Sequence, residues 1–194
     1  ASTPPISKVL EKLATLANTA PKAIILVTFI SLLASWLNWG FGLVIGALFA
    51  KAIAKHTRVD YRLLVASAYT GFVVWHGGLA GSIPLTIATP GHFSQASMGI
   101  VSTDQTLFAG FNIAILIGLF IIVPLVNRYM LPNDNDSVYI DPTLLNTRTP
   151  AASKITRPSQ HLEQSKLLGM GIGLMGLAYL SYYFFISGGG LNLN

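Results

Sequence analysis

Trp75-His76-Gly77-Gly78-Leu79-Ala80-Gly81-Ser82-Ile83-Pro84 breaks an otherwise apolar run, and the reading of this stretch decides the fold. Residues 63–74 before it and 85–88 after it carry no charged side chain. Three glycines and a proline within ten residues work against a continuous helix, because glycine loses backbone entropy there and proline removes a hydrogen bond. In lipid an unpaired backbone group costs several kcal/mol, so irregular backbone persists only where protein or a water-filled cavity covers it. One reading is a kinked but ordinary spanning helix. The preferred one is a discontinuous helix whose broken ends hold a solute, as in secondary transporters.

Composition sets the class. Of 194 residues, 52% are hydrophobic and only 10% charged, against about 25% charged in an average soluble domain. With a mean hydropathy of +0.60, an all-α integral membrane protein is expected. The net charge of +5 does not point to nucleic acid, because the basic residues flank apolar runs; orientation in a lipid bilayer explains them. Without cysteine, disulfides and thiolate metal sites are excluded. The chain opens at Ala1 without the basic-then-apolar pattern of a secretory signal and stops at Asn192-Leu193-Asn194. A piece of a longer protein is expected.

In residues 1–21, Ile6, Val9, Leu10, Leu13, Leu16 and Ala17 share one helical face and Lys8, Glu11 and Lys12 the other, as in an interfacial helix or the end of a truncated span. Residues 23–50 are uncharged, with Asn38-Trp39-Gly40-Phe41-Gly42 at their centre. They form either one tilted span or two arms of about 15 and 13 residues. Such arms reach about 20 Å, short of a hydrocarbon core about 30 Å thick, the size of a re-entrant hairpin.

Charge favours the hairpin. Lys22 precedes the segment and Lys51, Lys55, Arg58 and Arg62 follow it; entry and return on one face keeps them all cytoplasmic, as the positive-inside rule prefers. Residues 63–88 then cross outward as the discontinuous helix, and residues 92–105, without Lys or Arg, form an external loop. Residues 106–127 cross back, with Thr103 or Asp104 as N-cap and Pro124 as a kink. Arg128, Arg148, Lys154, Arg157 and Lys166 fall inside, and residues 167–186 lead out to Gly188-Gly189-Gly190. One hairpin and three transmembrane helices thus place all 12 basic residues on one side. Residues 22–131 read as half of a transport core, 132–165 as a cytoplasmic linker with prolines at 132, 142, 150 and 158, and 166–194 as the start of a second half. Gly169, Gly173 and Gly176 form a small-residue packing face there.

Both breaks combine a tryptophan, glycines and neutral oxygens: Ser35 and Asn38 with Trp39, Gly40 and Gly42 at the first; Trp75, His76, Gly77, Gly78 and Gly81, then Ser82, Thr86 and Thr89, at the second. A half-helix N-terminus offers free N–H groups and partial positive charge to a carboxylate. Unwound carbonyls and hydroxyls suit sodium, and Asn38 and Ser82 are its candidate ligands; no other metal or cofactor is expected. None of the four apolar segments contains Asp, Glu, Lys or Arg, so coupling falls to Na+ on neutral oxygens, to H+ on His76 or to groups outside the chain. A histidine buried and hydrogen-bonded without a proton role is the plainer reading of His76. Without a span arginine, a small monoanion is favoured over a di- or tricarboxylate. Trp39 and Trp75 are expected to wall the cavity around a short aliphatic tail, and Trp36 to pack or face lipid. His56, His92 and His161 lack metal-ligand spacing, and no nucleophile triad or phosphate-cradling loop occurs. An enzyme is not expected.

Asn38-Trp39-Gly40-Phe41-Gly42 with Ile45-Gly46-Ala47, then Gly77-Gly78-Leu79-Ala80-Gly81-Ser82-Ile83-Pro84-Leu85 and Ala88-Thr89-Pro90-Gly91, resemble the short-chain fatty acid transporter family. Phe108-Ala109-Gly110-Phe111-Asn112 and Ile140-Asp141-Pro142 are similar to it in the same order. The resemblance covers the whole chain but only the N-terminal-middle part of a family member. It implies a multi-pass carrier of the bacterial inner membrane taking up acetoacetate, butyrate or similar monocarboxylates by ion-coupled symport. It also implies kinship with the ion-transporter group, built from inverted repeats with re-entrant hairpins. Residues 38–42 would then be the hairpin tip and residues 77–82 the helix break. A Na+/H+ antiporter or a di-/tricarboxylate carrier of the same architecture is the alternative, and a non-transporting membrane subunit the alternative of another class. Substrate chain length, coupling ion, homo-oligomerisation and activity without the remainder stay open.

Overall fold

Asn38 turns the first apolar stretch back on itself. Its backbone is extended (φ −158°, ψ 126°). Its Oδ1 accepts the Phe41 N–H at 3.0 Å and its carbonyl accepts the Gly42 N–H at 2.8 Å, so one residue ends a helix and N-caps the next. In the computed structural model, which describes residues 4–145 and 165–187, the result is an antiparallel hairpin of α2 (Ala20–Leu37) and α3 (Trp39–His56), with α1 (Pro4–Ala14) before it.

The arms are longer than the sequence suggests, 18 residues each or about 27 Å at 1.5 Å per residue. The break takes one residue rather than five, because Gly40 and Gly42 are helical. At the other end α3 continues through Lys51 and Lys55, past the apolar run. The glycines serve the seam between the arms. A Cβ on Gly42 would overlap Ser35, with the Ser35 Cα 2.5 Å away, and one on Gly46 would lie 2.8 Å from Ser31 Oγ. Small residues on both arms let the two backbones approach.

The second break is more extended. Asp60 N-caps α4 (Tyr61–Thr70), accepting the Leu63 N–H at 2.8 Å. A 3₁₀ turn at Gly71–Val74 follows, then irregular backbone to α5 (Ser82–Ile87). After the one-turn α6 (Gln95–Met98) and a 3₁₀ turn at Thr103–Gln105 comes α7 (Gly110–Tyr129). That helix starts at Gly110 behind an extended Ala109 with no side-chain cap, not at the expected Thr103 or Asp104, whose residues are spent on their own turn. α4 runs parallel to α2, with Gly71 against Ser31. α7 runs antiparallel to α2, with Phe29 and Phe120 edge-to-face at 5.6 Å. The buried Asn127 donates through Nδ2 to Thr28 Oγ1 (3.1 Å) and Thr70 Oγ1 (2.8 Å), joining three helices through one carboxamide.

The antiparallel order gathers Lys22, Lys55, His56, Arg58, Arg62 and Arg128 at one end, the base, with Asn38 at the other, the tip. Residues 131–145, including the one-turn α8 (Pro142–Leu145), dock on the base. Asp60 Oδ2 accepts the Val138 N–H at 2.7 Å and the Arg62 guanidinium at 3.0 Å, and Arg62 also donates to the Asp136 carbonyl. Burial alone would raise the pKa of Asp60; the N–H groups of Val138 and Leu63, with Arg62, outweigh it and hold the carboxyl below its ordinary range. α1 runs parallel to α3: Ile6 and Val9 share a groove with Phe41 and Ile45 near the tip, while Thr57 donates to the Ala17 carbonyl at the base. α9 (Lys166–Phe185) belongs to a separate unit, with Ser165 accepting the Leu168 N–H as its cap.

Among the described residues there are helices and turns and no strand. Ala20–Leu37, Gly110–Tyr129 and Leu167–Phe185 are long and apolar enough to cross a membrane; the chain is a membrane protein. Arg148, Lys154, Arg157, His161 and the Gly188-Gly189-Gly190 end lie outside the described residues.

If the seam depends on close approach, Gly42→Ala should destabilise the protein by about 1–3 kcal/mol, the usual range for overpacking. Gly110→Ala, where a Cβ meets nothing within 4 Å, should cost far less. Thermal unfolding of both variants in detergent checks the difference.

Candidate functional site

The two breaks meet. The Leu79 N–H donates to the Trp36 carbonyl at 2.8 Å, closing the C-terminus of α2 with backbone from the second break. Gly78 makes the approach feasible, since a Cβ there would lie 2.5 Å from the Trp36 oxygen. Trp39, the first residue of α3, lies against Trp75 with ring centroids 5.2 Å apart, and Phe72 packs on both. Polar backbone that lipid could not satisfy is thereby paired between two interrupted helices.

Within the joint, the expected residues take different parts. Asn38 spends Oδ1 on capping Phe41. Ser35 is buried beneath Gly42 with its hydroxyl unpartnered. Gly40 stays open, with only Asn38 Oδ1 near its Cβ position. The start of α3 leaves the Trp39 and Gly40 amides without intrahelical acceptors. Trp75 buries an unpartnered Nε1 and stacks on His76 at 4.4 Å, while His76 is itself exposed. Gly81 tightens the loop, where a Cβ would meet the His76 carbonyl at 2.5 Å. Ser82, Thr86 and Thr89 are not gathered with these. They lie along or just after α5; Ser82 is exposed, and Thr86 and Thr89 donate back to the Ser82 and Leu85 carbonyls. Among the described residues no three His, Cys, Asp or Glu side chains cluster as metal ligands.

Two further features border the joint. Asn112 in the first turn of α7 donates through Nδ2 to the Gly77 carbonyl (3.1 Å) and the Leu107 carbonyl (2.8 Å), clamping the second break to α7. Beside it runs an apolar groove of about 520 Å³ lined by Trp36, Gly77, Leu79, Leu33, Phe108 and Leu116 among others, within the size range of small-molecule sites. Trp36, expected from sequence to pack or face lipid, is therefore the tryptophan that borders this groove, while Trp39 and Trp75 lie against each other with their rings tilted. A polar residue two places inside an apolar helix was the available signal for Asn112; its partner 35 positions away was not legible.

The family profile described as "Short chain fatty acid transporter" matches residues 1–194. A protein of Escherichia coli K12 named for short-chain fatty acid transport is 41% identical over 198 residues, covering 100% of this chain and 45% of that protein. A Haemophilus influenzae protein named likewise is 38% identical, covering 100% of this chain and 46% of its own length. The chain thus spans about half the length of these curated relatives, whose names are those of transporters and not of enzymes. No solved structure matches it.

Asn112→Asp should loosen the second break more than Asn112→Ala, because a carboxylate would face two carbonyls where an amide donated to both. A buried acceptor left unsatisfied costs about 1–3 kcal/mol. Faster hydrogen exchange at residues 77–81, in the order Asp, Ala, wild type, is the expected readout.

Proposed function

The chain belongs to the short chain fatty acid transporter family, and from that premise we propose that the whole protein is an ion-coupled secondary carrier of short monocarboxylates such as butyrate and acetoacetate. This chain supplies one half of its core, in a bacterial inner membrane. The joint between the breaks carries the reading, because it puts unpaired amides, a helix N-terminus and an apolar groove around one small region. The amides of Trp39 and Gly40, at the positive end of the 18-residue α3, would receive the carboxylate, and the groove beside Trp36 its aliphatic tail. The coupling ion is Na+ or H+; Asn38 Oδ1, which accepts the Phe41 N–H, would offer sodium its second lone pair.

The hairpin enters and returns on the cytoplasmic side in this proposal, with the base cations inside. Its arms of about 27 Å bring the tip close to the far side of a core about 30 Å thick. The remaining half of the protein would bring the opposing hairpin of an inverted repeat.

Full-length protein reconstituted into vesicles should take up labelled butyrate several-fold above empty vesicles when a sodium or proton gradient is imposed, with acetoacetate competing and citrate not. Competition by citrate but not acetoacetate would indicate the di-/tricarboxylate alternative. Sodium–proton exchange without butyrate uptake would indicate an antiporter. No transport of any of these would leave a supporting subunit as the reading.

A further inference from the structure

The cations at the base do more than neighbour one another; they line two adjoining concavities that share Lys55 and His56. One, of about 390 Å³, adds Arg58 and Tyr139; the other, of about 510 Å³, adds Lys8, Lys12 and Glu11. Lys8, Lys12, Lys55 and Arg58 therefore face a single acid, Glu11, across the two linings. They come from elements fixed to each other: Thr57 donates to the Ala17 carbonyl and so holds the end of the α1 segment on the end of α3. The Arg58 guanidinium is held over the Tyr139 ring at 4.2 Å to the centroid, a cation–π contact that pre-sets its position. Tyr139 in turn donates to Asp134 at 3.1 Å. Orientation by the positive-inside rule requires cations near the base but neither a concavity nor a ring to hold one of them.

We propose that this basin seats the phosphate of an anionic glycerophospholipid from the surrounding leaflet. The ligand chemistry is a phosphodiester anion, matched by the guanidinium and ammonium donors. A membrane lipid is its source rather than a free phosphate, because Val9 and Leu16 of the neighbouring segment stay exposed as apolar surface that acyl chains would cover. The seat needs no transport substrate and stands apart from the joint at the tip.

The test uses full-length protein in a neutral detergent, followed by thermal unfolding with added phosphatidylglycerol, phosphatidylcholine or inorganic phosphate. A ligand that binds only the folded state raises Tm, here by at least about 3 °C with phosphatidylglycerol, and little with phosphatidylcholine or inorganic phosphate. Lys55→Gln/Arg58→Gln should lose most of that rise, whereas Lys22→Gln/Arg128→Gln, removing equal charge at the base outside the basin, should keep it. An equal rise with phosphatidylcholine or inorganic phosphate overturns the proposal, as does an equal loss in both double variants or a rise retained by Lys55→Gln/Arg58→Gln. Should that variant not fold, Lys8→Gln/Lys12→Gln on the exposed face of α1 decides: a lost rise supports the seat, a retained rise overturns it.

Discussion

One backbone hydrogen bond, from the Leu79 amide to the Trp36 carbonyl at 2.8 Å, joins the two interrupted helices, and the arrangement at the tip follows from it. A helix that stops among apolar neighbours leaves carbonyls that lipid cannot satisfy. Here the end of α2 is completed by irregular backbone of the second break, so each interruption covers a polar cost of the other. The bond requires two backbones to come close, which explains glycine at 78 by contact rather than by flexibility. The same requirement explains the contact of Trp39 with Trp75, since rings on the two breaks must share the space left over.

The bundle beneath the tip is held by shape and neutral polarity. Gly42, Gly46 and Gly71 receive Ser35 and Ser31 at distances no side chain would tolerate, and Asn127 ties α2, α4 and α7 through two threonine hydroxyls. Between membrane helices these are the effective forces, because lipid tails are as apolar as leucine and burial of apolar groups gives little net drive. The described charged contacts sit at the base, where Asp60 gathers Leu63, Arg62 and Val138. A rigid, neutral core with its ion pair at one end suits a scaffold that must hold two broken helices in register.

Much of this was legible in the sequence. The break at residues 75–84 stands out through glycine and proline, and the turn at residue 38 through its place at the centre of an uncharged run. What misled was the meaning of glycine. Gly40 and Gly42 looked like helix breakers and are helical, because a seam between small residues uses glycine for closeness, and only three-dimensional neighbours separate the two uses. Long-range polar partners were equally hidden: Asn112 bonds a carbonyl 35 positions away and Asp60 an amide 78 positions away. Ser82, Thr86 and Thr89 resemble ligands in sequence, yet the two threonine hydroxyls return to their own helix, a local alternative open to any hydroxyl residue. Trp36 against Trp39 was a matter of helix phase next to a turn, where a single-residue break decides which side each ring takes.

The contact between the two breaks can be measured directly in membranes holding the full-length protein. Cysteines replacing Trp39 and Trp75, whose rings lie 5.2 Å apart, should be joined almost completely by a short bifunctional thiol reagent. A pair replacing Trp39 and the exposed Phe93 should be joined rarely. Cross-linking of the first pair no greater than that of the second would contradict a shared joint at the hairpin tip.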